Sequence, residues 1–191
     1  MINLILRFFG KNMPNITQNK NKLILDADTH MQQGAGFFVN NKLKLMCGLH
    51  DIDPLKFDYS IESLSYIDDI LYEIYLKFND GPDNQKNVDF KSIGIVNPIS
   101  LILSIAGYVG EVHRKNSIKN LLWITYDQAI NIDSRLIGAV GGGRDDLNGF
   151  MIWDGDKSFN FPVSKVYKFL LNGKEDSLKF FVEMALLSEI K

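Results

Sequence analysis

One apolar segment constrains the fold of this chain more than any other feature of its sequence. Asn97 followed by Pro98 predicts the start of a helix, because Asn is a good N-cap and the missing N–H of Pro costs nothing at the first helical position. Apolar side chains then occupy nearly every side of this helix: Ile99, Leu101–Leu103, Ile105, Ala106, Tyr108, Val109 and Val112. A helix that is apolar all round is buried, so we expect this one at the centre of the protein.

Two glycines interrupt the same segment. Gly107 and Gly110 lie on neighbouring turns, where a glycine costs a helix about 1 kcal/mol relative to alanine. We therefore expect another element to approach the helix closely at these two positions.

Composition narrows the class of protein. The chain has 191 residues, of which 46% are hydrophobic and 23% charged, which excludes a disordered chain and fits one globular domain. With 21 basic and 23 acidic residues the net charge is −2, which argues against nucleic-acid binding through phosphate contacts. Its one cysteine, Cys47, excludes an internal disulfide and a cysteine-based zinc cluster.

The segment from Ser60 to Phe78 predicts an amphipathic helix. Ser60 is a good N-cap, and Asn79-Asp80-Gly81-Pro82 predicts the end of the helix. Apolar residues recur every three or four positions at Ile61, Leu64, Ile67, Leu71, Ile74 and Phe78. Asp68, Asp69 and Glu73 are then expected mainly on the solvent face.

The C-terminal half changes from helical to strand patterns and back. Short β-branched or aromatic runs bounded by turns predict strands at Leu121–Tyr126, Arg135–Val140, Gly149–Trp153 and Ser158–Phe161, with a hairpin turn at Trp153–Asp156. Pro162 begins a helix through Leu171, and Asp176 or Ser177 caps a last helix. We expect an α+β fold in which helices pack around a small antiparallel sheet in the C-terminal half.

The N-terminal region has a weaker pattern. Residues 1–22 are interpreted as a short helix and a linker, and residues 23–191 as a single α+β domain, with a short strand at Leu23–Leu25 and breaks at Gly34 and Gly36. Apolar residues share one helical face in the first segment: Ile2, Ile5, Leu6 and Phe9. That face either docks on the body of the protein or anchors it to a membrane surface. No signal-peptide or membrane-spanning pattern is present, so we expect a cytoplasmic protein without stable membrane insertion.

The end of the central helix carries the first candidate for chemistry. Glu111 follows the apolar run, and a buried carboxylate must be paired or have a shifted pKa. Arg114 lies three residues on and can form a structural ion pair with Glu111. Alternatively, Glu111 acts as a general base with His113 assisting. We favour the ion pair, because the sequence contains no nucleophile signature such as G-x-S-x-G. No catalytic residue is therefore predicted.

Two further segments are candidate ligand sites. Gly141-Gly-Gly143 resembles a phosphate-binding loop, but Asp145 and Asp146 would repel an anion, so a loop that presents Arg144, Asp145 and Asp146 to a partner is favoured. The acidic set contains oxygen and nitrogen ligands in no known metal spacing: Asp26, Asp28, His30, His50, Asp51 and Asp53. We predict neither a metal nor another cofactor.

Three segments together resemble small bacterial α+β domains that occur among genes of interbacterial competition, including immunity proteins that neutralise a secreted toxin. The segments are Asp58-Tyr-Ser-Ile-Glu-Ser-Leu-Ser-Tyr-Ile-Asp-Asp-Ile-Leu71, Ile105-Ala-Gly-Tyr-Val-Gly-Glu-Val-His-Arg114 followed by Trp123, and Phe161-Pro-Val-Ser-Lys-Val-Tyr-Lys-Phe-Leu-Leu-Asn-Gly-Lys-Glu-Asp-Ser177. The resemblance covers roughly residues 58–185 and implies no cofactor. Gly107 departs from the usual pattern, which has Ala there.

The resemblance and the absence of a catalytic signature together predict an immunity protein. It would bind a cognate secreted toxin in the cytoplasm and occlude the active site of that toxin. Acidic groups speed association with a basic cleft, so the predicted partner-binding residues are Asp68, Asp69, Glu73, Arg144, Asp145 and Asp146. The alternative is a small hydrolase that uses Glu111 and His113. Acids on the Ser60–Phe78 helix and lysines near the C-terminus also suggest two oppositely charged regions.

Overall fold

The computed structural model describes residues 20–40, 53–79, 98–136 and 149–190, and this part of the chain is mostly helical. Its helices are α1 (Lys20–Val39), α2 (Ser63–Asn79), α3 (Pro98–Asn116), α4 (Tyr126–Ile132), α5 (Pro162–Asn172) and α6 (Leu178–Ser188). Its strands are β1 (Leu122–Thr125), β2 (Phe150–Trp153) and β3 (Phe159–Asn160), and short 3₁₀ turns occupy Pro54–Lys56 and Gly173–Asp176. The predicted α+β class is confirmed.

The three strands form one antiparallel sheet in the order β1-β2-β3. Trp123 lies opposite Ile152, and Ile152 lies opposite Asn160. The predicted hairpin turn joins β2 to β3: the Asp154 carboxylate accepts hydrogen bonds from the backbone N–H groups of Asp156 and Ser158, both at 3.0 Å. Gly155, which directly follows Asp154, adopts φ +85°, a conformation that glycine reaches without strain.

Helix α3 is the centre of the core, as its apolar pattern predicts. Nearly all its side chains from Leu101 to His113 are buried, and α1, α5 and α6 pack against it. The two glycines lie where neighbours come closest. A Cβ on Gly107 would be 2.5 Å from the backbone oxygen of Met31, and a Cβ on Gly110 would overlap the Trp123 ring. Both glycines therefore allow the close approach that the sequence predicts.

Helix α1 corrects the prediction for the N-terminal region. The expected strand at Leu23–Leu25 and the expected breaks at Gly34 and Gly36 are wrong, because all of these residues lie within one continuous helix. Its buried stripe recurs at helical spacing: Ala27, Met31, Ala35 and Phe38. A Cβ on Gly34 would be 3.6 Å from the Cα of Ser104, so this glycine lies at the α1–α3 contact. Packing against α3 thus outweighs the low helix propensity of the two glycines. Helix α1 also crosses the domain boundary expected after residue 22.

Helix α4 corrects the prediction for the segment after β1. Tyr126, expected as the end of a strand, begins α4, and Arg135 and Leu136 of the expected Arg135–Val140 strand follow this helix without joining the sheet. A capping box explains the helix, because the Thr125 hydroxyl accepts from the Gln128 backbone N–H while the Gln128 side chain accepts from the Thr125 backbone N–H. Residues 137–140 lie outside the described part.

The other helices begin and end close to their predicted signals. The Ser60 hydroxyl accepts a hydrogen bond from the Ser63 backbone N–H at the start of α2. Helix α5 begins at Pro162 and is followed by Gly173 at φ +70°. The Ser177 hydroxyl caps α6 by accepting from the Phe180 N–H. Among the described residues no helix is both long and apolar enough to cross a membrane.

Candidate partner-binding surface

The three acids predicted on the solvent face of α2 have different surroundings. Asp68 is only 8% exposed, so its expected place on the solvent face is wrong. Its carboxylate accepts hydrogen bonds from the Ser177 hydroxyl at 2.6 Å and from the Leu178 backbone N–H at 2.8 Å. Burial raises the pKa of Asp68, and the two hydrogen bonds oppose that rise. Asp68 therefore holds the N-terminus of α6 and is not available to a partner in this conformation.

Asp69 and Glu73 do lie on the exposed side of α2. Asp69 is paired with Lys174, whose ammonium nitrogen lies 3.0 Å from the carboxylate and 4.9 Å from the centre of the Tyr72 ring. Lys174 of the lysine-rich C-terminal region thus lies against the acidic helix, whereas Lys165 and Lys179 pair with Asp176 and Glu183 of their own region. The other predicted partner residues, Arg144, Asp145 and Asp146, lie outside the described residues.

Glu111 and Arg114 form the ion pair that their spacing predicts. The Arg114 guanidinium is 2.8 Å from the Glu111 carboxylate and 3.0 Å from that of Asp28. The Trp123 indole N–H also donates to Glu111, at 2.9 Å, and the Trp123 backbone N–H donates to Asp28 at 3.1 Å. These bonds join α1, α3 and β1. Glu111 is 9% exposed and serves as a structural acceptor.

His113 is held beside Glu189, at the other end of α6. Its Nε2 lies 3.2 Å from a Glu189 oxygen, and the Ser117 hydroxyl donates to the same carboxylate at 2.8 Å. Burial lowers the pKa of His113, which is 1% exposed and whose Nδ1 has no hydrogen-bond partner among the described residues. The carboxylate lies between serine and histidine, whereas nucleophilic catalysis requires the histidine to contact the serine. The group therefore does not have the geometry of a hydrolase triad.

The acidic set does not assemble into a metal site in the described part of the chain. Asp28 is bound to Arg114, His30 stacks on Phe150 with ring centres 5.3 Å apart, and Asp53 caps the Pro54–Lys56 turn. No group of three His, Cys, Asp or Glu residues there could hold a metal ion. A cavity of about 240 Å³ between α1 and α3 is lined by His30, Met31 and Leu103 among others, and neither Glu111 nor His113 reaches it.

The outer side of α6 is the surface that sequence reasoning missed. Phe180, Met184 and Leu187 are 59%, 48% and 54% exposed and follow one another at helical spacing on one side; we call them the α6 outer face. The opposite side, with Leu178 and Val182, is buried. The signal was present in the sequence, because α6 has more apolar residues than one buried stripe requires.

Both ends of α6 are fixed by carboxylates. Asp68 of α2 binds the first residues of the helix, as described above. At the other end, Glu189 accepts hydrogen bonds from the Ser117 hydroxyl and from the Ile118 backbone N–H, the latter at 3.2 Å. The α6 outer face therefore belongs to a helix held in place, rather than to a fraying chain end.

Comparison of the chain with protein-family models, with curated proteins and with solved structures finds no match.

Proposed function

We propose that this protein is a non-enzymatic immunity protein that binds a cognate secreted toxin in the cytoplasm and occludes its active site. The observation that carries the proposal is the α6 outer face: three large apolar side chains exposed together on a helix fixed at both ends. Contiguous exposed apolar surface of this kind is typical of a protein-binding site. The resemblance of residues 58–185 to immunity domains supplies the class of partner.

The energetics of the α6 outer face suit a tight protein complex. Full burial of a side chain such as Leu, Met or Phe is worth about 1.5–3 kcal/mol. Because α6 is already held by Asp68 and Glu189, little conformational entropy is lost when a partner binds. Glu73 and Asp69 on the neighbouring helix α2 supply exposed acids of the kind that accelerate association with a basic surface.

The alternative function, a small hydrolase, lacks a supporting observation. It requires Glu111 to act on a substrate, but this carboxylate is buried against Arg114 and the Trp123 indole. His113 is buried against Glu189. A structural role accounts for the contacts that these two side chains make with other described residues.

The test combines binding with rescue of growth. The protein is tagged and used to capture the product of the adjacent gene, and it is co-expressed with that product in sensitive cells. We expect capture and restored growth. If the adjacent product neither binds nor harms cells that lack this protein, the immunity proposal is wrong.

A pair of variants locates the binding surface in the same assay. Met184→Glu places a charge in the α6 outer face, and we expect it to abolish capture and rescue. Leu55→Glu is the matched control, since Leu55 is an 88% exposed apolar residue outside α6, in the Pro54–Lys56 turn. Circular dichroism verifies that both variants fold. Equal capture by both variants would show that the toxin binds elsewhere.

A further inference from the structure

The loop between α3 and β1 exposes one large apolar side chain at the end of α6. Ile118 is 79% exposed, and its backbone N–H donates at 3.2 Å to the carboxylate of Glu189, the residue that follows α6. We propose that Ile118 is a second contact with the toxin and that it inserts into an uncharged apolar pocket of that protein. The inference rests on the proposed function. It adds a contact residue outside α6, together with the shape and chemistry of the surface that receives it.

Hydrogen bonds on both sides of Ile118 fix the loop. The Ser117 hydroxyl donates to the Glu189 carboxylate at 2.8 Å, and its oxygen accepts from the Lys119 backbone N–H at 2.9 Å. The Lys119 ammonium binds the Asp154 carboxylate at 2.8 Å, which ties the loop to the sheet. A side chain on a backbone held in this way loses little conformational entropy when a partner binds.

The position of Ile118 continues the apolar surface of α6. Because the loop is bound to Glu189, Ile118 lies at the C-terminal end of α6, where Leu187 and Ile190 are also exposed. Apolar side chains exposed singly are common on protein surfaces, but several exposed together mark an interaction site. A partner that covers the α6 outer face therefore reaches Ile118 if its contact extends past the last turn of the helix.

Shape and charge indicate what receives this side chain. Side chains that dominate binding energy commonly fill a pocket of the partner, and a side chain projecting from a fixed loop suits that role. The nearby lysines are engaged within the protein, because Lys119 binds Asp154 and the Lys115 ammonium lies 3.3 Å from the centre of the Tyr59 ring. The pocket opposite Ile118 therefore needs no charged group, and an unpaired charge buried there would be costly.

The same geometry disfavours a second copy of the chain as the occupant. A two-fold contact brings the same surface patch from both copies together. Here that patch is the outside of a helix and a projecting loop, so it offers no concave surface for Ile118.

Affinity measurements on the full chain test the proposal, with the product of the adjacent gene as the probe and isothermal titration calorimetry as the readout. Ile118→Ala removes most of the side chain, and we expect the dissociation constant to rise about tenfold or more. Ile118→Asp and Ile118→Lys should both abolish binding, because an uncharged pocket rejects either sign of charge. The matched controls are Leu55→Ala, Leu55→Asp and Leu55→Lys in the exposed Pro54–Lys56 turn, which should bind like the parent. Circular dichroism and thermal melting verify the fold of each variant.

Three results would overturn this inference and leave the proposed function intact. If the parent and Ile118→Ala bind the probe equally well, the toxin contacts α6 without the loop. Binding that survives one sign of charge at position 118 would reveal a charged group in the receiving surface. A free protein that sediments as a dimer, and as a monomer after Ile118→Asp, would identify a second copy as the occupant. Failure of the parent itself to bind the probe would instead refute the proposed function, and this inference with it.

Discussion

Helices α3 and α6 are both apolar on nearly every side, but their surroundings in the folded protein differ. Helix α3 is enclosed: α1, α5 and α6 pack around it, and its glycines admit the backbone of α1 and the Trp123 ring. In the part of the chain that the structure describes, α6 has neighbours on one side, and Phe180, Met184 and Leu187 face outward on the other.

The difference shows what an all-round apolar pattern establishes. Such a pattern requires burial, but the burying surface need not belong to the same folded body. For α3 the domain itself supplies that surface. For α6 the described part of the domain supplies half of it, and the remaining half is available to another segment or another protein.

The largest expected effect comes from filling the contact between α1 and α3. Gly107→Ala puts a methyl group 2.5 Å from the Met31 backbone oxygen and 3.0 Å from the Ala35 backbone nitrogen. Because backbone atoms cannot move aside cheaply, we expect a loss of about 3 kcal/mol or more in the free energy of unfolding, measured by urea denaturation.

The matched control lies on α1, the helix that packs against α3 at Gly107. A Cβ on Gly36 of α1 would meet no atom within 4 Å, so Gly36→Ala should gain helix propensity, about 0.5–1 kcal/mol, without a clash. If Gly107→Ala were as stable as the parent protein, that result would contradict the close contact between α1 and α3 at this position.

An intermediate effect is expected where α2 holds α6. Asp68→Ala removes the acceptor for the Ser177 hydroxyl and for the Leu178 N–H, and should cost about 2 kcal/mol in urea denaturation. Asp69→Ala is the neighbouring control. Its carboxylate is exposed and is paired, among the described residues, with exposed Lys174 alone, so the unfolding midpoint should barely change. Equal effects of the two substitutions would contradict the distinction between a structural and a surface acid.

The smallest expected effect is a pH dependence where α3 meets α6. Burial lowers the pKa of His113 below its ordinary value of 6.5, so the folded protein binds fewer protons than the unfolded chain just below that pH. Stability should therefore fall as the pH drops through this window, by up to about 1.4 kcal/mol per pH unit. The slope vanishes below the lowered pKa, where both states are protonated.

Substitution of His113 separates its contribution to the pH dependence of stability from the contributions of other titrating groups. His113→Gln keeps a donor for Glu189 but does not titrate, so urea denaturation across a pH series should show a flatter slope below pH 6.5 than in the parent. Asp68, whose raised pKa contributes a slope of opposite sign, is present in both proteins, so its contribution cancels in the comparison. An unchanged slope in His113→Gln would refute the assignment.

Local signals predicted most of the fold because they act within a few residues. The proline at the start of α5, the glycine after it and the Asp154 hairpin all act through local backbone geometry or hydrogen bonds. Helix α1 was missed because its stability comes from contacts with α3 that no local rule contains. Helix α4 was missed although its capping box is visible in the sequence at Thr125 and Gln128.

For the candidate site, sequence reasoning identified the pairing of Glu111 with Arg114 but misjudged Asp68. On α2 the periodicity places Asp68 and Asp69 next to each other at the edge of the apolar stripe. Which of the two becomes buried depends on where α6 begins, more than 100 positions further along the chain. Lys174 pairs with Asp69 for the same reason, because long-range packing brings the turn that carries this lysine to the acidic helix.

The sequence by itself determined that α3 must be buried, that a hairpin precedes α5, and that helices surround a small sheet, because periodicity and turn chemistry are properties of the local chain. Only the tertiary structure decided which acid of α2 holds α6 and which side of α6 remains exposed. Those outcomes depend on how much surface the neighbouring elements offer, and that area is fixed only when the whole domain has packed.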